Sequence, residues 1–175
     1  PASYARAKKR GADISAFATL YRSNEQQPTY HSVLIVRQDS GIRSLEDLQG
    51  KALSLVDPLS TSGSLVPRAA IQNLTGMTLD DWFGRVSFAG SHDLAIAAVL
   101  SERVAGAFVS DTRIADEQAE GGVAGNDLRV LWRSESIPSD PFVYQNDLCE
   151  FIKQDIRQVF FERQDELSDF LLSRN

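Results

Sequence analysis

Three consecutive hydroxyl side chains and a glycine form the motif Ser60-Thr61-Ser62-Gly63. The motif follows a short apolar run typical of a strand and precedes a segment, residues 65–74, typical of a helix that holds Pro67 in its first turn. A helix N-terminus offers unpaired N–H groups and a partial positive charge, and hydroxyls add donors. The motif predicts a site for a small anion, although an ordinary helix N-cap with spare hydroxyls has the same sequence.

A second motif, Gly90-Ser91-His92-Asp93, places a histidine in the first turn of another predicted helix. A helix N-terminus lowers the pKa of a histidine, whereas a bound anion raises it. The alternative is a solvated first-turn histidine without a ligand. Both motifs follow strands of neighbouring β–α units, where ligands of α/β proteins bind, so the two turns could face one crevice.

Two single residues are weaker candidates. Tyr30 ends a polar connector and could offer its phenol to a ligand, although a tyrosine at a strand edge more often packs. Asp140 lies between Pro138 and Pro141, in a rigid extended segment where a carboxylate could meet an ammonium group. A solvated aspartate in a turn is the alternative reading of Asp140.

An enzyme is the less favoured reading of the same residues. Ser60 or Ser62 could be combined with His92 and an aspartate as a hydrolase triad, but the chain has no Gly-x-Ser-x-Gly elbow. The two histidines, the single Cys149 and the scattered carboxylates show no metal-ligand spacing. We therefore expect a binding protein rather than an enzyme, with no metal and no cofactor.

Predicted strands and helices alternate along the chain, which indicates an α/β fold with a largely parallel sheet. In the helix after the histidine motif, Leu94, Ala95, Ala98 and Val99 have the spacing of core residues. The predicted strands cover residues 14–21, 30–37, 52–56, 85–89, 105–109 and 128–132. The predicted helices cover residues 2–10, 44–47, 65–74, 91–102, 112–120, 148–161 and 164–172.

Composition narrows the function classes. The chain has 175 residues, 42% of them hydrophobic, and a net charge of −6. That acidity argues against nucleic-acid binding, which needs a basic face. No apolar run approaches the length of a membrane span, and no signal peptide is visible. The chain begins at Pro1 within a predicted helix, so we expect it to be a fragment of a longer protein.

Several segments in this order resemble the phosphate/phosphite/phosphonate-binding family of ABC-transporter periplasmic proteins. The resemblance runs from residue 1 to about residue 147. Its motifs are Tyr30-His31-Ser32-Val33-Leu34-Ile35-Val36-Arg37, Asp39-Ser40-Gly41-Ile42, Ser44-Leu45-Glu46-Asp47-Leu48-Gln49-Gly50-Lys51, Asp57-Pro58-Leu59-Ser60-Thr61-Ser62-Gly63 and Gly90-Ser91-His92-Asp93.

The resemblance implies the type 2 periplasmic binding protein fold, in which two α/β lobes joined by two strands close on a ligand. It also implies roles for individual residues. The phosphonate oxygens are held by Ser60, Thr61, Ser62 and His92, the cradle is completed by Tyr30 and more loosely Tyr4, and an aminophosphonate ammonium is held by Asp140 or, second, Asp111. Where the family often has an acidic residue in a Val-Asp-Ala-Gly-like run, this chain has Val104-Ala105-Gly106-Ala107, which weakens the case for an amine-bearing ligand.

Family members carry a long segment before the one that resembles Pro1-Ala2-Ser3-Tyr4. The resemblance therefore implies one complete second lobe at residues 30–133 and an incomplete first lobe at residues 1–29 and 134–175. We expect aromatic side chains left without their usual sheet to favour association into homo-oligomers. These aromatics are Phe142, Phe151, Phe160, Phe161 and Phe170.

The implied function is a periplasmic or extracytoplasmic solute-binding protein. It captures a small phosphorus oxyanion (phosphonate, phosphite or phosphate) and delivers it to the membrane permease of an ABC importer. The alternative is the ligand-sensing domain of a membrane signalling protein with the same fold, which residues around the ligand site do not distinguish.

Overall fold

The computed structural model describes residues 1–19, 27–164 and 166–167. They separate into two compact units. The first consists of Pro1 and the described parts of Ser3–Pro28 and Ser139–Asn175, and the second of Ala2 and Thr29–Pro138. The lobe boundaries inferred from the sequence stay a prediction about the whole protein. In the described part of the chain, no helix is long and apolar enough to cross a membrane.

The strands and helices alternate, as the sequence predicts. The strands are β1 (Ile14–Thr19), β2 (Thr29–Tyr30), β3 (Ser32–Arg37), β4 (Ala52–Leu55), β5 (Arg85–Phe88), β6 (Gly106–Ser110), β7 (Leu128–Arg133), β8 (Ile137–Pro138) and β9 (Pro141–Gln145). The helices are α1 (Ala2–Lys9), α2 (Val66–Thr75), α3 (Leu79–Trp82), α4 (His92–Leu100), α5 (Asp111–Ala119) and α6 (Glu150–Glu162), with a 3-10 turn at Glu46–Leu48 and a π turn at Thr61–Leu65.

In the first unit, β1 pairs antiparallel with β9. The ring of Phe17 stacks on Tyr144 at 5.0 Å, and Phe160 of α6 packs edge-on against Phe17 and Phe142 at 5.0 and 4.8 Å. On α6, Phe151 is 68% exposed. Association through this exposed face stays a prediction. Residues 20–21, Phe170 and most of the predicted helix 164–172 lie outside the described residues.

The second unit is built on a five-stranded sheet in the order β5-β4-β6-β3-β7. The expectation of a largely parallel sheet is confirmed for strand direction with one exception, because four of the five strands run the same way and β3 is reversed. Strand β4 runs parallel to β5 and β6, but β3 is antiparallel to both β6 and β7. A parallel pair needs a crossover, which is usually helical. Helices α2 and α3 lie between β4 and β5, and α4 lies between β5 and β6. Strands β3 and β7 carry the chain into and out of the sheet, so they run in opposite directions.

The core of the second unit lies on both faces of this sheet. Val33 and Ile35 of β3 pack on the α4 side, and Leu34 and Val36 pack on the side of α2 and α3. One expectation about the core is wrong, and one core residue was not predicted. Leu94 is 53% exposed, whereas Ile96, which the spacing did not select, is 1% exposed. Helix α4 is apolar almost all round, so its sequence periodicity cannot identify the buried face.

The predicted strand 30–37 is two strands in the structure. It is interrupted at His31, whose N–H donates to Asp111 Oδ1 at 2.9 Å instead of entering the ladder. The first piece, β2, pairs with β8, where the chain passes between the two units. Strand β9 and the short helix α3 were not predicted, and the α3 sequence Leu-Asp-Asp-Trp has too few residues to show a period.

Candidate functional site

The hydroxyl motif forms the turn that joins β4 to α2. Ser60 is the N-cap, and its Oγ accepts the Gly63 N–H at 3.0 Å. The helix begins with a π turn at Thr61–Leu65, earlier than the sequence predicts, and Pro67 lies in the first turn of α2. Because a hydroxyl has one donor and two acceptor positions, Ser60 can cap the helix and still donate its proton to an anion.

Val56 holds this turn beside the histidine motif. Its N–H donates to the Gly63 carbonyl at 3.0 Å, and its carbonyl accepts the Gly90 N–H at 2.8 Å. A Cβ on Gly63 would lie 2.4 Å from Val56 Cγ2, so only glycine allows this close approach. The two motifs singled out in the sequence therefore lie side by side at the carboxyl ends of β4 and β5.

The hydroxyls of the turn differ in exposure. Ser60 and Thr61 are half-buried, whereas Ser62 and Ser64 are 2% and 1% exposed. Ser64 Oγ has no hydrogen-bond partner among the described residues. Ser60 and Thr61 thus have the more accessible hydroxyls of the turn, with Thr61 Oγ1 accepting the Ala2 N–H at 3.1 Å, whereas Ser62 is buried.

His92 is the first residue of α4 and is half-buried. Its Nδ1 lies 3.1 Å from the backbone N–H of Ser110. A backbone N–H can only donate, so Nδ1 is the acceptor and the proton of the neutral ring is on Nε2. Burial lowers the pKa of His92, Asp93 and Asp57 partly oppose this, and Arg113 adds to it. At neutral pH the ring is therefore a neutral Nε2–H donor.

The carboxylate next to His92 is neutralised by an arginine. Arg113 binds Asp93 through two nitrogens, with Nη2 3.1 Å from Oδ2 and Nε closer to Oδ1. The hydrogen bond from Arg113 is the main reason why the pKa of Asp93 is lowered. Asp93 thus stays ionised but paired, which limits its repulsion of an anion at the first turn of α4.

A third serine N-cap, missed by the sequence analysis, lies at the same sheet edge. Ser110 ends β6 and caps α5 by accepting the Arg113 N–H at 3.1 Å, and its Oγ lies 2.6 Å from Thr112 Oγ1. Its own N–H fixes the His92 ring. The signal was present in the sequence, because Ser110 stands between a strand and a helix as Ser60 and Ser91 do.

The other predicted ligands divide between the units. Tyr30 lies in β2 of the second unit, opposite Ile137, and is half-buried. Tyr4 and Asp140 belong to the first unit. The Asp140 side chain is 78% exposed.

Asp111, the second candidate for an ammonium group, is already engaged. It accepts the His31 N–H at 2.9 Å and an Arg133 N–H at 2.5 Å. Its backbone N–H donates in turn to the His31 carbonyl at 3.1 Å. These bonds tie α5 to the break between β2 and β3, which is a structural role.

Comparisons with known proteins agree on one family. The family model described as "ABC transporter, phosphonate, periplasmic substrate-binding protein" matches residues 1–171. The phosphonates-binding periplasmic protein of Escherichia coli (strain K12) is 33% identical over 162 residues, which are 85% of this chain and 47% of the relative. The phosphate-import protein PhnD of Mycolicibacterium smegmatis is 26% identical over 168 residues, 91% of this chain and 52% of the relative.

A solved structure gives the same result. The crystal structure of a binding protein component of an ABC phosphonate transporter from Pseudomonas aeruginosa matches with a TM-score of 0.77 and 30% identity, covering 86% of this chain and 50% of that one. This chain therefore spans about half the length of the relatives it matches.

Proposed function

Because the chain belongs to the phosphonate-binding family of periplasmic substrate-binding proteins of ABC transporters, with the type 2 periplasmic binding protein fold, we propose that the intact protein captures a small phosphorus oxyanion for an importer. The ligand is a phosphonate, phosphite or phosphate. The partner is a membrane permease, and the protein acts in the periplasm or an equivalent extracytoplasmic space.

The observation that carries this proposal is the neutral donor set at one sheet edge. Val56 joins the backbone of the hydroxyl turn to Gly90 of the histidine motif, and the His92 ring carries its proton on Nε2. Helix N-termini and hydroxyls bind a dianion without a cationic side chain. A net charge of −6 on the whole chain is compatible with such a site. Neutral donors also suit a carrier, which must release its ligand.

We assign Ser60, Thr61, Ser62 and His92 to the oxyanion, and Tyr30 and Tyr4 to the rest of the cradle. Asp140 remains the candidate for an ammonium group, because its carboxylate is largely exposed, whereas Asp111 is mostly buried and bonded to His31 and Arg133. Ala105 stands where the family often has an acidic residue. We therefore propose that an alkylphosphonate, phosphite or phosphate binds more tightly than an aminophosphonate.

Two observations favour binding over the alternatives. In a hydrolase triad, Nδ1 of the histidine donates to a carboxylate, whereas Nδ1 of His92 accepts a backbone N–H. The relatives are named for binding or import, which favours a transport component over a sensor domain.

Calorimetric titration of the intact protein with phosphate, phosphite, methylphosphonate and 2-aminoethylphosphonate tests the proposal. We expect Ser62→Ala and His92→Ala each to weaken binding of the preferred anion at least about threefold, roughly 0.6 kcal/mol. Ser101→Ala, at the opposite end of α4, is the matched control and leaves affinity unchanged. Absence of binding to all four anions, or full affinity in both site variants, would contradict the proposal.

A further inference from the structure

Ser32, which the sequence motifs did not single out, is hydrogen-bonded to the hydroxyl turn. It is the first residue of β3 and has no exposed surface. Its Oγ donates to the carbonyl oxygen of Ser62 at 2.6 Å. This hydrogen bond joins two buried residues that are 30 positions apart in the chain.

The Ser62 carbonyl needs this donor because of Pro67. In the π turn, the Val66 N–H donates to the Thr61 carbonyl. The corresponding partner for Ser62, one residue further along, would be the N–H of residue 67, which proline lacks. The Ser32 hydroxyl supplies the missing donor. Without it, a buried carbonyl would lose its partner, which is costly in a protein interior.

The peptide group between Ser62 and Gly63 is therefore fixed at both ends. Its carbonyl accepts from Ser32 Oγ, and its N–H donates to Ser60 Oγ. In the second bond the Ser60 hydroxyl is the acceptor, so the Ser60 O–H can still donate to another group. The orientation of this peptide thus sets the direction in which Ser60 presents its donor.

Ser32 is also bonded to the strand by which the chain leaves the sheet. Its N–H donates to Ser134 Oγ at 3.0 Å, and its carbonyl accepts the Ser134 N–H at 2.9 Å. Ser134 lies between β7 and β8, and the His31 ring Nδ1 is 2.9 Å from its carbonyl oxygen. Ser32 thus connects the anion turn to the β2–β8 pair, where the chain passes between the units.

We propose that Ser32 is a positioning residue of the anion site, which replaces the donor missing at Pro67 and holds the hydroxyl turn in its binding geometry without touching the ligand. The inference rests on the proposed oxyanion-binding function. A loss of the Ser32 hydroxyl then acts on affinity through the Ser62–Gly63 peptide.

The test is calorimetric titration of the intact protein with methylphosphonate and with inorganic phosphate. Ser32→Ala weakens binding about three- to tenfold, the range for one buried hydrogen bond. Ser54→Ala is the matched control, because Ser54 is a buried serine of the same sheet whose hydroxyl bonds to Leu55 and not to the turn. It leaves affinity unchanged, and amide exchange at Gly63 quickens only in Ser32→Ala.

A second substitution separates positioning from general destabilisation. Pro67→Ala restores an N–H that can donate to the Ser62 carbonyl, so the double variant Ser32→Ala/Pro67→Ala recovers affinity relative to Ser32→Ala. A double variant as weak as Ser32→Ala, or equal losses in Ser32→Ala and Ser54→Ala, would overturn the inference.

The two proposals fail in different ways. If the unmodified protein binds and His92→Ala weakens binding, but Ser32→Ala binds like the unmodified protein with unchanged Gly63 exchange, only the role of Ser32 is refuted. If the unmodified protein binds neither methylphosphonate nor phosphate, the proposed function is refuted and the positioning role falls with it.

Discussion

The hydroxyl turn and the histidine turn of the candidate site are held in place by different hydrogen bonds. Both turns have a local serine cap, since Ser91 accepts the Leu94 N–H and Ser60 accepts the Gly63 N–H, each three residues along. In the histidine turn, residues from elsewhere bond to Gly90 and to the side chains of His92 and Asp93. In the hydroxyl turn, Val56 and Ser32 bond to the backbone carbonyls of the turn itself. A serine cap can be recognised from a short motif, whereas bonds to the backbone of a turn from outside make it sensitive to substitutions elsewhere in the sequence.

The largest loss of anion affinity is expected from a substitution in the hydroxyl turn. Gly63→Ala places a Cβ 2.4 Å from Val56 Cγ2, and overpacking of this kind costs about 1–3 kcal/mol. If the turn moves to relieve it, affinity falls about five- to hundredfold. Calorimetry of the purified variant with methylphosphonate checks this.

The control for this substitution is Gly125→Ala. A Cβ on Gly125 has no heavy atom within 4 Å, and its backbone needs no positive φ. It should bind like the unmodified protein. A Gly63→Ala variant that keeps full affinity would show that the close contact with Val56 does not set the turn.

A smaller effect is expected at the histidine turn. Arg113→Leu leaves Asp93 ionised and unpaired at the N-terminus of α4, which repels an anion. Because both side chains are partly exposed, we expect an affinity loss of only about threefold, larger at low ionic strength. Titrations at two salt concentrations measure it.

Arg68→Leu is the matched control for Arg113→Leu. It breaks an ion pair with Asp80 at 2.5 Å on the α2–α3 side of the same unit. Its affinity should not change at either salt concentration. An Arg113→Leu variant that binds more tightly than the unmodified protein would contradict the role given to this ion pair.

Features set by neighbouring residues could be predicted from the sequence, whereas features set by tertiary contacts could not. The serines that precede helices at residues 60 and 91 and the alternation of strands and helices are local patterns, and the structure has them. The mixed strand directions, the exposed Leu94 and the π turn depend on tertiary packing. Ser110 could be recognised as a helix cap from its place between a strand and a helix, but its bond to His92, 18 positions away, follows no spacing rule. The same holds for the bond from Ser32 to Ser62, 30 positions away.

The central claim is that an oxyanion is bound by neutral donors, His92 among them. Burial lowers the pKa of His92 in the free protein, whereas a dianion within hydrogen-bond distance favours the charged ring and raises it. NMR titration of the His92 ring nitrogens over pH, with and without methylphosphonate, tests this most directly. We expect an Nε2–H tautomer and a His92 pKa below the ordinary value without ligand, and a higher pKa with methylphosphonate bound. A ring protonated on Nδ1, or a pKa that methylphosphonate leaves unchanged, would contradict this claim.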